Sequence, residues 1–302
     1  MSILTVPAGS TYADYRNQPF PTDGTNAFEI DGNDSGDTIY GTKYWDMLHG
    51  GTGNDYLDGY MGGGVVFGFA STVPLGSNPQ YFAGNDTLIG GEDPNATNTI
   101  QGAAGNDRLV AYYGTNIMWG GNGNNNYYQF DATANKSTIN QSIDSNVNGT
   151  NSIFFQNTVS TNLDYAWHGN DLWLFSASDL QNQHGVVITN QGLGGLYTID
   201  FVYGSDGKGY NISGLRPPPA TTPGVTASSA AAVVGGDLSG ALPLLQSSAA
   251  LSDSQGMLSD MISHGTVANA ARIAAAAGRA DAHAFGDTSG GWTGRSAHAL
   301  VA

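Results

Sequence analysis

Gly50-Gly51-Thr52-Gly53-Asn54-Asp55-Tyr56-Leu57-Asp58 and Gly102-Ala103-Ala104-Gly105-Asn106-Asp107-Arg108-Leu109-Val110 carry one pattern. Glycines fill the first half, an aspartate takes the sixth place, and a large apolar residue takes the eighth. The pattern recurs from Gly32 to Tyr128. Residues 32–40, 41–49, 50–58 and 59–67 follow one another without a gap, with Asp37, Asp46, Asp55 and Gly64 at the sixth place and Ile39, Leu48, Leu57 and Val66 at the eighth. An insertion rich in Gly, Pro and Ser comes next, near residues 68–80. The repeat resumes at 81–89, passes through a longer copy at 90–101, and continues at 102–110, 111–119 and 120–128. The sixth place now reads Asp86, Asn98, Asp107, Asn116 and Asn125, and the eighth Leu88, Ile100, Leu109, Met118 and Tyr127.

This spacing has a physical logic. Six residues make a tight turn, and three make a short strand with one side chain facing inward. Glycine is needed where a turn takes positive φ or where neighbouring turns touch. A hard cation such as calcium takes roughly 6–8 oxygen ligands from carboxylates and carbonyls. One turn cannot supply that number, but stacked turns can. Each repeat contacts only its neighbours, so stability accumulates along the stack.

The segment resembles the RTX (repeats-in-toxin, haemolysin-type) calcium-binding proteins. The resemblance implies an all-β fold, a right-handed parallel β-roll in which successive nonapeptides alternate between two sides and ions sit between turns two repeats apart. Carried onto this chain, it implies metal ligands at Asp37, Asp46, Asp55, Asp86, Asn98, Asp107, Asn116 and Asn125, with Gly50, Thr52, Asn54, Asn85 and Asn106 contributing from the turns. Asp37 and Asp55 would share a site, and Asp86, Asp107 and Asn125 would form a row on one side. On the other side, Asp46 would face Gly64, which brings no carboxylate, and Asn98 would pair with Asn116. Asparagine keeps an oxygen ligand but loses the charge, so its sites should be weaker, leaving about three or four well-held ions. Tyr127 is large for a thin interior and is expected to cap the last turn.

Composition agrees with a cation-dependent fold. The chain of 302 residues has a formal net charge of −16 at pH 7, a pI near 4.3, 44 glycines and no cysteine. That charge excludes nucleic acid as a partner, because phosphates would be repelled. Without calcium, clustered aspartates repel one another and loosen the roll. Binding then drives folding: a ligand at 100 times its dissociation constant adds about 2.7 kcal/mol per site. The N-terminus, Met1-Ser2-Ile3-Leu4-Thr5-Val6-Pro7, lacks the basic and apolar regions of a Sec signal peptide. No run is apolar enough to span a bilayer as a helix. The resemblance implies an extracellular or cell-surface protein exported by type I secretion machinery.

Five segments are expected: an N-terminal cap (1–30), the roll (31–128), a β-rich flank (129–215), a Pro/Thr/Ala linker (216–230) and an Ala/Ser/Gly-rich tail (231–302). In the flank, Ser152–Phe155, Asp171–Phe175, Gly185–Ile188 and Tyr197–Val202 read as strands. The flank resembles the C-terminal flank of RTX proteins, which implies that it closes the open end of the roll. Its Trp167, Trp173 and Phe175 suit core packing, with a glycan-binding surface as the alternative. In the tail, Ser252 and Gln255 form a capping box before a short helix marked by Met257, Leu258, Met261 and Ile262. A second helix is expected around Val267 to Ala274. The tail would serve as a secretion signal or a docking element.

No catalytic motif accompanies the repeat. His-Glu-x-x-His and Gly-x-Ser-x-Gly are absent, and only Met1 to Ile30 precede the roll. The six histidines are scattered without metal-ligand spacing, and Gly192-Leu193-Gly194-Gly195 reads as a turn. The expectation is a secreted, non-enzymatic calcium-binding structural or interaction protein, as in a self-associating surface-layer or matrix subunit. The insertion and Tyr112, Tyr113 and Trp119 would supply contacts. The alternative is a carbohydrate-binding or polysaccharide-modifying extracellular protein.

Overall fold

In the computed structural model, residues 1–21, 27–71, 84–129, 136–140, 150–179, 184–217 and 236–237 are described. They lie in one compact unit, Met1–Leu245; the second unit, Gln246–Ala302, falls outside the described residues, and with it both expected tail helices.

The regular structure of the described residues is almost entirely strand. In order these are β1 (Ser2–Thr5), β2 (Tyr12–Asp14), β3 (Ala27–Asp31), β4 (Thr38–Tyr40), β5 (Trp45–His49), β6 (Tyr56–Asp58), β7 (Gly64–Phe67), β8 (Thr87–Ile89), β9 (Thr97–Ala104) and β10 (Arg108–Ala111). After them come β11 (Thr115–Asn122), β12 (Asn126–Gln129), β13 (Lys136–Ile139), β14 (Ser152–Phe155), β15 (Leu163–His168), β16 (Asp171–Ser176), β17 (Gly185–Ile188), β18 (Phe201–Tyr203), β19 (Gly209–Asn211) and β20 (Gly236–Asp237).

Strands alternate between two sheets. One sheet runs β1-β3-β5-β7-β9-β11-β13-β17-β16-β15-β20, and the other β2-β4-β6-β8-β10-β12-β14-β18-β19. Pairing is parallel along each sheet from β1 to β17 and from β2 to β18; the antiparallel pairs are β17–β16, β16–β15, β15–β20 and β18–β19. This is the parallel β-roll that the RTX resemblance implies. Ahead of the repeat, β1, β2 and β3 already belong to the two sheets, and both sheets cross residue 128 in register. The insertion does not shift the register: β6 pairs β8 with Tyr56 opposite Thr87, and β7 pairs β9 with Val65 opposite Thr99.

The eighth-place residues form the core because each three-residue strand points one side chain between the sheets. Leu48, Val66, Ile100, Met118, Ile139 and Ile188 stack along one sheet, and Ile39, Leu57, Leu88, Leu109, Tyr127, Ile153 and Val202 along the other; all are buried. Burying each such side chain contributes about 1.5–3 kcal/mol. Glycine is obligatory in the turns. Gly51 has φ +109°, and a Cβ there would strike the carbonyl of Asn33 one coil below.

Tyr127 departs from expectation. It does not cap the last turn but sits fully buried within the stack, between Leu109 and Ile153. Its hydroxyl accepts the Gly120 N–H at 3.0 Å, which is how a phenol is accommodated in a thin core. The stack ends further on, where β16 and β15 turn back as a hairpin and β19 folds back on β18. Trp167, Trp173 and Phe175 are buried there, with Trp173 and Phe175 ring centroids 4.4 Å apart and the Trp173 indole N–H donating to the His184 carbonyl. Gly192-Leu193-Gly194-Gly195 joins two 3₁₀ turns, Gln191–Leu193 and Gly195–Tyr197. Gly236–Asp237, in the expected tail, pairs as a strand with β15.

Candidate metal centre

Sixth-place residues lie just before the strand in one sheet and at its first or second residue in the other, so the two sheets generate two rows. The first contains Asp37, Asp55, Asp86, Asp107 and Asn125. The second contains Asp46, Gly64, Asn98 and Asn116. The expected partners along each row are therefore brought together, and the insertion leaves Asp55 next to Asp86.

The first row is strung on side-chain oxygens. Asp55 Oδ1 accepts the Asp37 N–H at 2.8 Å, Asp86 Oδ1 that of Asp55 at 2.9 Å, Asp107 Oδ1 that of Asp86 at 3.0 Å, and Asn125 Oδ1 that of Asp107 at 3.0 Å. One oxygen of each carboxylate is thus committed to the coil before it. The other is not: Asp55, Asp86 and Asp107 Oδ2 are buried and have no hydrogen-bond partner. A buried anionic oxygen without a donor is costly, and a cation is the usual remedy.

These oxygens face glycine-lined gaps. A Cβ on Gly50 would strike Asp55 Oδ2, one on Gly68 would strike Asp86 Oδ2, and one on Gly102 would strike Asp107 Oδ2. Carbonyls border the same gaps: that of Gly102 beside Gly68, and that of Gly120 beside Gly102. Carboxylate and carbonyl oxygens around space that only glycine leaves open are the donor set calcium takes. The carboxyls carry the mark of this crowding. Burial, with some repulsion from neighbouring aspartates, pushes Asp55 up to about 7 and Asp86 up to about 8; burial pushes Asp107 up to about 7. Asp37, at the start of the row, is raised by burial, while both its oxygens accept from Asn33, at 2.7 Å from the backbone and 3.1 Å from the side chain.

The second row is closed by protein groups. Asp46, raised to about 7 by burial, accepts the Thr42 N–H at 2.6 Å and the Thr42 hydroxyl at 2.7 Å. Gly64 supplies an N–H to Asn98 Oδ1 at 3.1 Å. The Asn98 amide donates to the Gly91 carbonyl at 3.1 Å and to Asn116 Oδ1 at 3.0 Å, and the Asn116 amide donates to the Tyr113 carbonyl at 3.1 Å. Here the amide N–H groups of Asn98 and Asn116 point at the turn carbonyls of Gly91 and Tyr113. Asn125, the last sixth-place residue of the first row, is engaged in the same manner, its amide donating to the Gly121 carbonyl at 2.8 Å.

Asn54, Asn85 and Asn106 also form a ladder. Asn54 Oδ1 accepts the Asn85 N–H at 2.7 Å, Asn85 Oδ1 that of Asn106 at 2.8 Å, and Asn106 Oδ1 that of Asn124 at 2.9 Å. Their side-chain oxygens therefore tie coil to coil. Thr52 joins through its backbone, donating to the Asn33 carbonyl at 3.3 Å. Sequence reasoning missed the continuation of the first row beyond the repeat, where Asn151 Oδ1 accepts the Asn125 N–H and Asp200 Oδ2 accepts that of Asn151, both at 2.9 Å. No nonapeptide surrounds those two residues, so no local signal marks them.

Comparison with known proteins agrees with this geometry. Residues 31–66, 82–93 and 95–127 match the family model of the RTX calcium-binding nonapeptide repeat, in four copies. The segment from 31 to 127 is an RTX repeat region, and its cofactor is calcium. No curated protein matches the chain.

Proposed function

We propose that the protein is an extracellular, non-enzymatic scaffold whose roll is set by calcium held chiefly along the Asp55–Asp86–Asp107 row. The observation that carries this reading is the line of three buried, unpartnered Oδ2 atoms at glycine-lined gaps. Calcium supplies the positive charge that these carboxylates lack; the chain supplies the carboxylate and carbonyl oxygens and, through the Oδ1 ladder, their spacing. Asp37, Asp46, Asn98, Asn116 and Asn125 serve mainly as structural links, because their side-chain atoms are engaged by protein donors and acceptors. RTX repeat proteins are generally secreted, and a roll that requires calcium folds where calcium is abundant.

Self-association is part of the proposal. β1 and β2 are the terminal strands of their sheets, so each offers an edge that no described strand covers. Ile3 and Tyr12 on them are 66% and 51% exposed. Parallel edges with exposed apolar side chains favour pairing with another chain. Among the described residues no helix is long and apolar enough to cross a membrane.

The test is far-UV circular dichroism during calcium titration, with magnesium as control, and then sedimentation of the calcium-loaded protein. A cooperative gain of β-signal with calcium alone and a species heavier than the monomer are expected. A β-spectrum already complete in chelator would overturn calcium-set folding; a monomer at high concentration would overturn self-association.

A further inference from the structure

Outside the calcium row, one cluster of metal-binding side chains stands apart. Glu29 and Asp31 lie two residues apart on β3 and therefore on one face of the strand. Their neighbours Phe28 and Ile30 point into the core, so the two carboxylates lie on the outer face of the sheet. On β5, His49 is directly opposite Asp31 in the parallel register, again outside. One ligand atom from each of the three side chains lies within 4.8 Å of the others, with His49 Nε2 3.9 Å from Glu29 Oε1.

The histidine is the informative member. Although on the outer face, it is only 5% exposed, because Phe67 packs on it with ring centroids 5.1 Å apart and Phe69 packs on Phe67. Neither His49 ring nitrogen makes a well-formed hydrogen bond, the Phe69 backbone offering only a weak one, and Asp31 Oδ1 is buried and unpartnered. A buried imidazole without a well-formed hydrogen bond is costly. Among the described residues no Lys or Arg forms an ion pair with either carboxylate. An imidazole beside two carboxylates, with neither carboxylate held by a Lys or Arg, matches a divalent transition metal, which takes nitrogen and oxygen together at about 2.0–2.2 Å. Calcium is a poor occupant, since it selects oxygen alone.

We infer that Glu29, Asp31 and His49 form a second metal site, for a zinc-like divalent ion, separate from the calcium row. Three protein ligands leave at least one coordination position to water. Side-chain rotation of about an ångström closes the donors to the separation such an ion needs. The ion joins β3 to β5, and so pins the first coils of the roll on the face away from the core. Scattered histidines show no ligand spacing along the sequence; cross-strand register, not local spacing, assembles this group.

The test is calorimetric titration of the calcium-saturated full chain with zinc chloride, comparing the parent with His49→Gln and Glu29→Gln. The expected result is a zinc site that excess calcium does not displace, weakened at least tenfold in each variant, with the calcium-driven circular dichroism transition retained. Zinc binding of unchanged affinity and stoichiometry in His49→Gln, or its displacement by calcium, would overturn the assignment. Should His49→Gln fail to fold, Glu29→Gln decides alone, since its half-buried side chain is not part of the core; unchanged zinc binding there also overturns it. Because the titration begins from calcium-loaded protein, a missing calcium transition reports separately on the function proposed above.

Discussion

Replacing Asp86 with asparagine separates the two roles the structure gives that carboxylate. Its Oδ1 accepts the Asp55 N–H, and asparagine retains an oxygen for this bond. Its Oδ2 is the buried oxygen without a donor, and asparagine puts an amide there, as Asn125 does further along the same row. Burial, reinforced by Asp107 and Asp55, raises the Asp86 carboxyl from 3.8 to about 8. A folded-state pKa above the unfolded one means that the metal-free fold holds the proton more tightly. This contribution is fully present below pH 4 and is lost as pH rises towards 8. At pH 7, folding without metal must keep the group protonated against an unfolded value near 3.8, or accept the buried charge. At about 1.4 kcal/mol per pKa unit the cost is at most about 4 kcal/mol. Asp86→Asn should therefore stabilise the metal-free protein at pH 7 by a few kcal/mol and flatten its pH dependence. It should also weaken calcium binding at least tenfold, because a carboxylate ligand is lost at the centre of the row. The assay is urea unfolding by circular dichroism in chelator at pH 5, 7 and 9, with a calcium titration at pH 7. Parallel pH profiles for parent and variant would refute the electrostatic argument, and an unchanged calcium midpoint would refute the ligand assignment.

The second row should respond in the opposite sense. Asn116→Asp replaces an amide that donates to the Tyr113 carbonyl with an anion facing that carbonyl; we expect a loss of about 2–3 kcal/mol in chelator, recovered in calcium, and a loss that calcium does not repair would count against amide-for-ion replacement. Gly51→Ala forces a Cβ onto a residue at φ +109° and against the Asn33 carbonyl. It should cost at least about 2 kcal/mol by urea unfolding in calcium, whereas Gly214→Ala, with no atom within 4 Å of its Cβ position, should stay within about 0.5 kcal/mol; equal effects at the two positions would remove the steric argument.

Much of this protein is legible because the repeat is local. Leu57 and Leu109 sit at the eighth place of plain copies, and a three-residue strand after a six-residue turn leaves that side chain only the interior. Asp55 and Asp107 are legible for the same reason. Tyr127 is not. Whether a phenol closes a stack or lies within it depends on the strands stacked beyond it, and β14 and β18 pair there without a nonapeptide to announce them. Asparagine at the sixth place is ambiguous in sequence: its oxygen resembles a ligand and its nitrogen replaces one. Asn98 and Asn116 turn their amides towards protein oxygens, an orientation that only the neighbouring coil selects.

The sequence by itself determined the period, the inward place of the eighth residue and the oxygen-rich turns, and through the family resemblance that the period carries it implied the two alternating sheets and the calcium. These arise from bonds within one coil and its neighbours, which nine residues suffice to encode. Only the tertiary structure decided which row keeps open carboxylate oxygens, how the register survives the insertion, where the stack ends, and that His49 lies across from Asp31. Each of these depends on residues across a sheet or a coil away, where side chains meet through the hydrogen-bond register of separate strands rather than through their spacing along the chain.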